Sequence, residues 1–190
     1  MKSRFALLIA AVVMAACTSL PTTPLPHRDS IRDFALEGRF ALRVTLPGQA
    51  IQNSGGRLSW SHQNDNNRVL LASPLGYGLA EIETTAAISR LRTADGKTLE
   101  STDPDALIEE VTGQRLPVRR MPAWLLGRSG GTARIEADAF GRPLRLTEDG
   151  WQVDYSFEDD APNALPSRLV LTRDGEIELR LRIEEWKDAP

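Results

Sequence analysis

The sequence predicts a mainly β protein, one long antiparallel sheet of about ten or eleven strands, strongly curved, with two or three short helices inserted mid-chain. Three observations carry that prediction. Apolar and polar residues alternate with period 2 in segment after segment, turn-forming pairs separate those segments, and few stretches carry a helical pattern. At 190 residues the chain is long enough to bury one full core, so a single domain is expected.

The first element is an export address. Lys2 and Arg4 form a positive start, and Phe5 to Ala16 is an apolar stretch too short for a bilayer-spanning anchor but suited to a signal-peptide core. It ends in Met14-Ala15-Ala16-Cys17, two small residues before the only cysteine, which looks like a bacterial lipobox. That likeness implies cleavage before Cys17, thioether attachment of diacylglycerol to it and N-acylation with a fatty acid such as palmitate. Thr18 follows, where many Gram-negative bacteria carry an Asp that retains lipoproteins in the inner membrane, so outer-membrane delivery is expected. The division is thus 1–16 signal peptide, 17–27 lipidated cysteine and Pro/Thr-rich tether, and 28–190 one folded domain.

Within the domain, Phe40, Leu42, Val44 and Leu46 share one strand face, with Arg39, Ala41, Arg43 and Thr45 on the other. The beat recurs at Leu58/Trp60, Val69/Leu71, Leu144/Leu146, Trp151/Val153/Tyr155/Phe157 and Ile177/Leu179/Leu181/Ile183. Turn signals fall between these strands, among them Asn64 to Asn67, Asp95-Gly96, Asp149-Gly150 and Asp174-Gly175, and the Asp-Gly pairs suit tight antiparallel hairpins. Asp103 before Pro104, with Ala106, Leu107, Ile108 and Val111 as a stripe and Gly113 behind, predicts a capped helix. A short apolar helical turn is expected over Ala123-Trp124-Leu125-Leu126-Gly127, and a third short helix around Ile31 to Leu36. These helices need an apolar surface, and the concave face of the sheet offers one. They either roof a hollow or cover a packed core.

Composition narrows the function. Hydrophobic residues at 41% and charged residues at 26% fit a globular chain rather than disorder or a multi-span membrane protein. With 23 Lys+Arg against 26 Asp+Glu and no basic run, nucleic acid is not an expected partner. One cysteine and two histidines leave no basis for a zinc site, and no cofactor or metal is expected. Strands of six to eight residues interrupted by helices argue against a transmembrane barrel. Gly127-Arg128-Ser129-Gly130-Gly131 fits the nucleophile pattern G-x-S-x-G, but both histidines, His27 and His62, precede Ser129, and a helical turn rather than a strand comes before it. Asp159-Asp160 and Glu184-Glu185 have no apolar pocket beside them. No enzyme is read here.

One ordered set of residues resembles a known family. Gly38-Arg39, Trp60, Ser73-Pro74-Leu75-Gly76, Gly113 with Leu116-Pro117-Val118, Trp124-Leu125-Leu126-Gly127, Gly141-Arg142, Gly150-Trp151 with Tyr155, and Trp186 resemble the LolB family over nearly the whole mature chain. The resemblance implies an incomplete, curved antiparallel barrel closed by a helical lid. Its apolar hollow would hold acyl chains of lipoproteins received, without nucleotide, from a LolA-like periplasmic carrier. It also implies that Leu75, at the tip of a Pro-Leu-Gly turn, meets the outer-membrane lipid, and it implies a lipid-anchored monomer facing the periplasm. From the alternation, Phe40, Leu42, Leu58, Trp60, Val69, Leu71, Leu125, Trp151 and Tyr155 are candidate lining residues, though the same pattern marks plain core. Two other readings stay open, a LolA-like carrier and an anchored lipid-binding or structural module. Arg39 and Arg43 are exposed candidates for docking an acidic partner.

Overall fold

The computed structural model describes residues 28–188. The signal segment, Cys17 and the tether lie outside the described residues. After a single 3-10 turn at Arg28–Ser30, the chain forms β1 (Phe34–Val44), β2 (Gln52–Gln63), β3 (Asn66–Ala72), β4 (Gly78–Thr84), β5 (Ser89–Thr93) and β6 (Thr98–Ser101). Two helices follow, α1 (Pro104–Thr112) and α2 (Met121–Leu125), and then β7 (Arg134–Ala137), β8 (Pro143–Glu148), β9 (Trp151–Ser156), β10 (Arg168–Arg173) and β11 (Ile177–Lys187). All eleven strands make one antiparallel sheet in the order β6-β5-β4-β3-β2-β1-β11-β10-β9-β8-β7. Each half is a meander, β1 to β6 and β7 to β11, and pairing of the first strand with the last joins them. The two ends, β6 and β7, do not pair, so the barrel stays open where the helices enter.

Tight turns set the hairpins. Asn64-Asp65, Asp149-Gly150 and Asp174-Gly175 each put two consecutive residues at positive φ, the geometry that matches the twist of antiparallel strands. Gly38 sits at a register shift where β1 meets β11, and a Cβ there would lie 2.1 Å from the Arg182 carbonyl oxygen, so only glycine permits the approach.

Two sequence expectations are corrected. Residues 31–36 do not form a helix: Phe34 and Leu36 are in β1, opposite His62 and Trp60, and both are buried. Ile31 and Phe34, three residues apart, can share a helical face, but Phe34 and Leu36 are two apart, the period of a strand, and pairing with β2 satisfies the backbone while turning both inward. Val111 is not part of the buried stripe of α1; it is 42% exposed, and Pro104, Leu107 and Ile108 carry the contact. The other features of α1 match the expectation. The Asp103 side chain accepts from the Asp105 backbone N–H at 3.0 Å, and Gly113 closes the helix at φ 68°.

Candidate functional site: a roofed concave face and an exposed turn

The inward residues of nine strands build one core. Trp60, Val69, Ile82 and Leu91 line it from β2 to β5, and Leu146, Val153, Leu169, Leu171, Leu179 and Leu181 from β8 to β11. The helices lie on it. α1 packs against β5 and β6 and sends Leu107 and Ile108 into the core, while α2 contributes Met121, Trp124 and Leu125. Side chains of the roof therefore occupy the concavity.

α2 is held by polar bonds as well as by packing. Buried Trp124 donates its indole N–H to Glu148 Oε2 at 2.6 Å, and the Tyr155 hydroxyl donates to the Trp124 carbonyl at 2.9 Å. Burial pushes the Tyr155 phenol well above its ordinary pKa, so this donor keeps its proton throughout the neutral range. The second Glu148 oxygen has Arg120 at 3.8 Å and no hydrogen bond. Arg120 also reaches Asp149 at 3.6 Å, and the Trp124 and Trp151 rings meet at 6.4 Å. Gly127 ends this segment at φ 68°, where a Cβ would strike Pro143 of β8 at 2.3 Å. The Trp124-Leu125-Leu126-Gly127 run is thus a plug tied to β8 and β9.

Of the nine candidate lining residues, Leu58, Trp60, Val69, Leu125, Trp151 and Tyr155 are buried in the core, and Phe40, Leu42 and Leu71 are only partly covered. The register explains the difference. Opposite Phe40 and Leu42 on β2 stand Gly56 and Ser54, whose side chains are too small to cover them, and β3 ends at Ala72, level with Arg57. Beside the roof, a hollow of about 840 Å³ opens between α2 and the β2–β3 turn, with Asp33, His62, Asn67, Thr84, Arg119 and Arg128 among its walls.

The second feature is the turn after β3. Gly76 N–H donates to the Ser73 carbonyl at 2.9 Å, Ser73 N–H to the Tyr77 carbonyl at 2.7 Å, and Tyr77 N–H to Ser73 Oγ at 3.1 Å. Pro74 and Gly76 suit this closed loop, which is shaped by its own hydrogen bonds rather than by burial. It presents Leu75 at 85% exposure and Tyr77 at 71%. Leu70 and Leu79 nearby are exposed too, so the apolar surface is wider than Leu75 alone.

Ser129 lies in an irregular segment between α2 and β7, with no strand leading into it. Asp159 and Asp160 are exposed in the loop after β9, while Glu184 pairs with Arg39 at 2.7 Å and Glu185 with Lys187 at 3.2 Å. Among the described residues no group of His, Cys, Asp and Glu is placed to hold a metal ion, and no helix is long and apolar enough to cross a membrane. Sequence reasoning missed Glu148. Its signal was available, because Leu146 and Glu148, two residues apart, fall on one strand face.

Comparison with known proteins gives a consistent answer. A family model described as "Outer membrane lipoprotein LolB" matches residues 32–186. A protein of Dechloromonas aromatica, described as outer-membrane lipoprotein LolB, is 70% identical over the whole of both chains. One from Bordetella petrii with the same description is 35% identical across 85% of this chain and 80% of its own. A crystal structure of a LolA superfamily protein from Nitrosomonas europaea superposes with a TM-score of 0.46 at 11% identity, covering 83% of this chain and 86% of the other.

Proposed function

The chain belongs to the family of outer-membrane lipoproteins LolB, and from that membership we propose how its parts act as a lipoprotein receptor and insertion factor. Cys17, exposed by removal of residues 1–16, carries the acyl groups that hold it to the periplasmic face of the outer membrane. Residues 17–27 tether the domain, and the domain of residues 28–190 accepts acylated lipoproteins from a LolA-like carrier. It works as a monomer and needs no cofactor. The observation that supports this reading best is an apolar concave face whose roof is a separate, short, plug-like helix, joined in one domain to an exposed apolar turn.

Magnitudes make the handover workable without nucleotide. Burying one CH₂ is worth about 0.8 kcal/mol, so a fatty acyl chain gains on the order of 10 kcal/mol on leaving water. Exposing a buried side chain such as Met121 or Leu125 costs roughly 1.5–3 kcal/mol. Lifting the plug exposes Met121, Trp124, Leu125 and Leu126 together, roughly 6–12 kcal/mol on that scale, so one entering chain about balances the displacement and the further chains of a triacylated cargo drive it. Phe40, Leu42 and Leu71, already part-exposed, are the first apolar surface a guest chain meets, and Leu58, Trp60, Val69, Leu125, Trp151 and Tyr155 become reachable as the plug lifts. Delivery follows when Leu75 enters the bilayer and the guest passes to a still more apolar phase.

The test is transfer of a triacylated lipoprotein from loaded carrier to the membrane-extracted protein, then to liposomes. Leu75→Glu should leave the first step intact and block the second. Absence of any transfer would leave an anchored structural module. Mass spectrometry of the N-terminal peptide checks Cys17: an unacylated cysteine would favour a carrier that shuttles.

A further inference from the structure

The outward face of the sheet is built in two styles. Across β3 to β6 every arginine meets a carboxylate on a neighbouring strand: Arg68 with Glu81 at 2.6 Å, Arg92 with Glu81 at 3.4 Å, Arg90 with Glu100 at 2.7 Å. Across the seam of the two meanders the rule is reversed. The register sets Arg57, Arg39, Arg182 and Arg168 directly opposite one another on β2, β1, β11 and β10, four adjacent strands. All four are exposed, and Arg180 lies on the same outward face of β11, two residues from Arg182. Glu184 pairs with Arg39, and Glu178 with Arg180 at 2.8 Å and Arg43 at 3.5 Å. Arg57, Arg168 and Arg182 are in none of the close ion pairs of this face, and Arg57 acts on a carboxylate, that of Glu37, only as a secondary influence behind Lys187. Like charges directly opposite in a sheet oppose folding, and the chain as a whole is acidic, at net charge −3. Such a row is costly to the fold unless something anionic meets it.

The row surrounds a hollow of about 570 Å³ walled by Arg39, Arg57, Arg168, Arg180, Arg182 and Pro74. Pro74 is the decisive neighbour, because it belongs to the turn that presents Leu75 and Tyr77. The row is also level with Ala72, the last residue before that turn. Apolar tip and cationic hollow are therefore contiguous. An acidic protein would use the arginines and leave the leucine idle, whereas a bilayer surface offers phosphate oxygens beside hydrocarbon. Guanidinium forks suit phosphate, donating to two of its oxygens at once.

We propose that the arginine row of β2-β1-β11-β10 binds the phosphates of anionic glycerophospholipids at the bilayer surface and seats the domain so that the Leu75 turn enters between them. This rests on the membrane role proposed above for Leu75, and it adds the lipid class and the residues that read it.

The experiment uses the acylated full-length protein reconstituted in vesicles. Cys17 is the only cysteine in the sequence, so a Tyr77→Cys variant takes an environment-sensitive fluorophore whose emission reports contact of the turn with the bilayer. Vesicles of phosphatidylethanolamine with one part in five phosphatidylglycerol are compared with vesicles of phosphatidylcholine alone. The ratio of seated to free domain should be higher on the anionic vesicles and fall as salt rises. Each of Arg57→Gln, Arg168→Gln and Arg182→Gln should lower that ratio about fivefold on anionic vesicles, the triple variant roughly 100-fold, with little change on neutral ones. Leu75→Glu should lower it on both. Equal seating by wild type and triple variant on anionic vesicles would overturn the proposal. So would loss of transfer from loaded carrier with seating unchanged, which would make the row a protein-docking surface. If wild type accepts no cargo yet the triple variant still loses seating, the receptor reading fails and the lipid site stands.

Discussion

The two halves of the curved sheet are roofed by different means. α1 lies over β5 and β6, with Leu107 and Ile108 as its apolar anchors, and its polar ties are at the surface: Arg115 bonds Asp103 at 2.6 Å and Glu109 at 3.2 Å, through side chains roughly half exposed. α2 lies over β8 and β9 and is tied from within, by Trp124 to Glu148 and by Tyr155 to the Trp124 carbonyl. Surface ion pairs contribute about 0–1 kcal/mol, whereas a buried polar group stripped of its partner costs about 1–3 kcal/mol. Five residues of helix hold no geometry by themselves. The interior bonds thus give the short plug one defined seat, which a guest chain can open only by displacing it whole.

The largest effect that would sharpen this contrast is at Trp124. Trp124→Ala should cost about 4 kcal/mol in urea unfolding, since it empties a fully buried site and leaves Glu148 without its donor. Trp124→Phe keeps most of the packing and should cost about 1–3 kcal/mol for the orphaned carboxylate alone. A Trp124→Phe loss near zero would mean that Glu148 is hydrated and that the plug has no interior tie.

Next in size is a pair of leucines. Leu171, facing the α2 half, is fully buried, while Leu42 on the seam is only partly covered. Leu171→Ala should cost about 3 kcal/mol and Leu42→Ala about 1 kcal/mol, because the second site already touches solvent. Equal losses would erase the distinction between committed core and available lining.

This division shows what could be read from the chain. Alternation and the Asp-Gly turns placed the strands, because an inward residue at every second position is a local property. Asp103-Pro104 and Gly113 placed α1 for the same reason. Ile31 to Leu36 misled, since Ile31 and Phe34 are spaced as on a helix while Phe34 and Leu36 are spaced as on a strand, and only the pairing with β2 decides between them. Leu144 is expected on the face of the completely buried Leu146 yet is 50% exposed, because the register shift where β8 meets β7 inserts it as an extra residue between Pro143 and Arg145 and breaks the alternation. The arginine row was beyond local reading altogether. Arg39 and Arg43 stood out as exposed, and Arg57 joins Arg39 across the β1–β2 hairpin, but Arg182 and Arg168 join the row only because β1 pairs with β11, more than a hundred residues away.

A smaller effect separates the two ties of α2. Tyr155→Phe removes one hydroxyl donor and should cost about 1 kcal/mol or less, because the Trp124 carbonyl keeps the Gly127 N–H at 2.9 Å. On the proposed mechanism it also loosens the plug, so uptake of an apolar dye should rise while unfolding changes little. Unchanged dye uptake in the variant would mean that this bond does not hold the plug closed.

The smallest effect belongs to α1, and it depends on pH. The hydrogen bond from Arg115 is the chief cause that holds the Asp103 carboxyl below the usual range; desolvation opposes it, and the Asp105 and Ala106 N–H groups add to the lowering. A carboxyl whose folded pKa is depressed contributes stability above its unfolded value of about 3.9, and that contribution fades as pH falls through the folded value. Asp103→Asn keeps a capping oxygen and should cost only a few tenths of a kcal/mol at neutral pH. The wild type's advantage over it should start to shrink as pH drops below about 4 and keep shrinking through the folded value, measured by urea unfolding from pH 6 down to pH 2. If the advantage instead held constant through that range, the tie of α1 would not be ionic, and the contrast between a surface-pinned and an interior-pinned roof would rest on α2 alone.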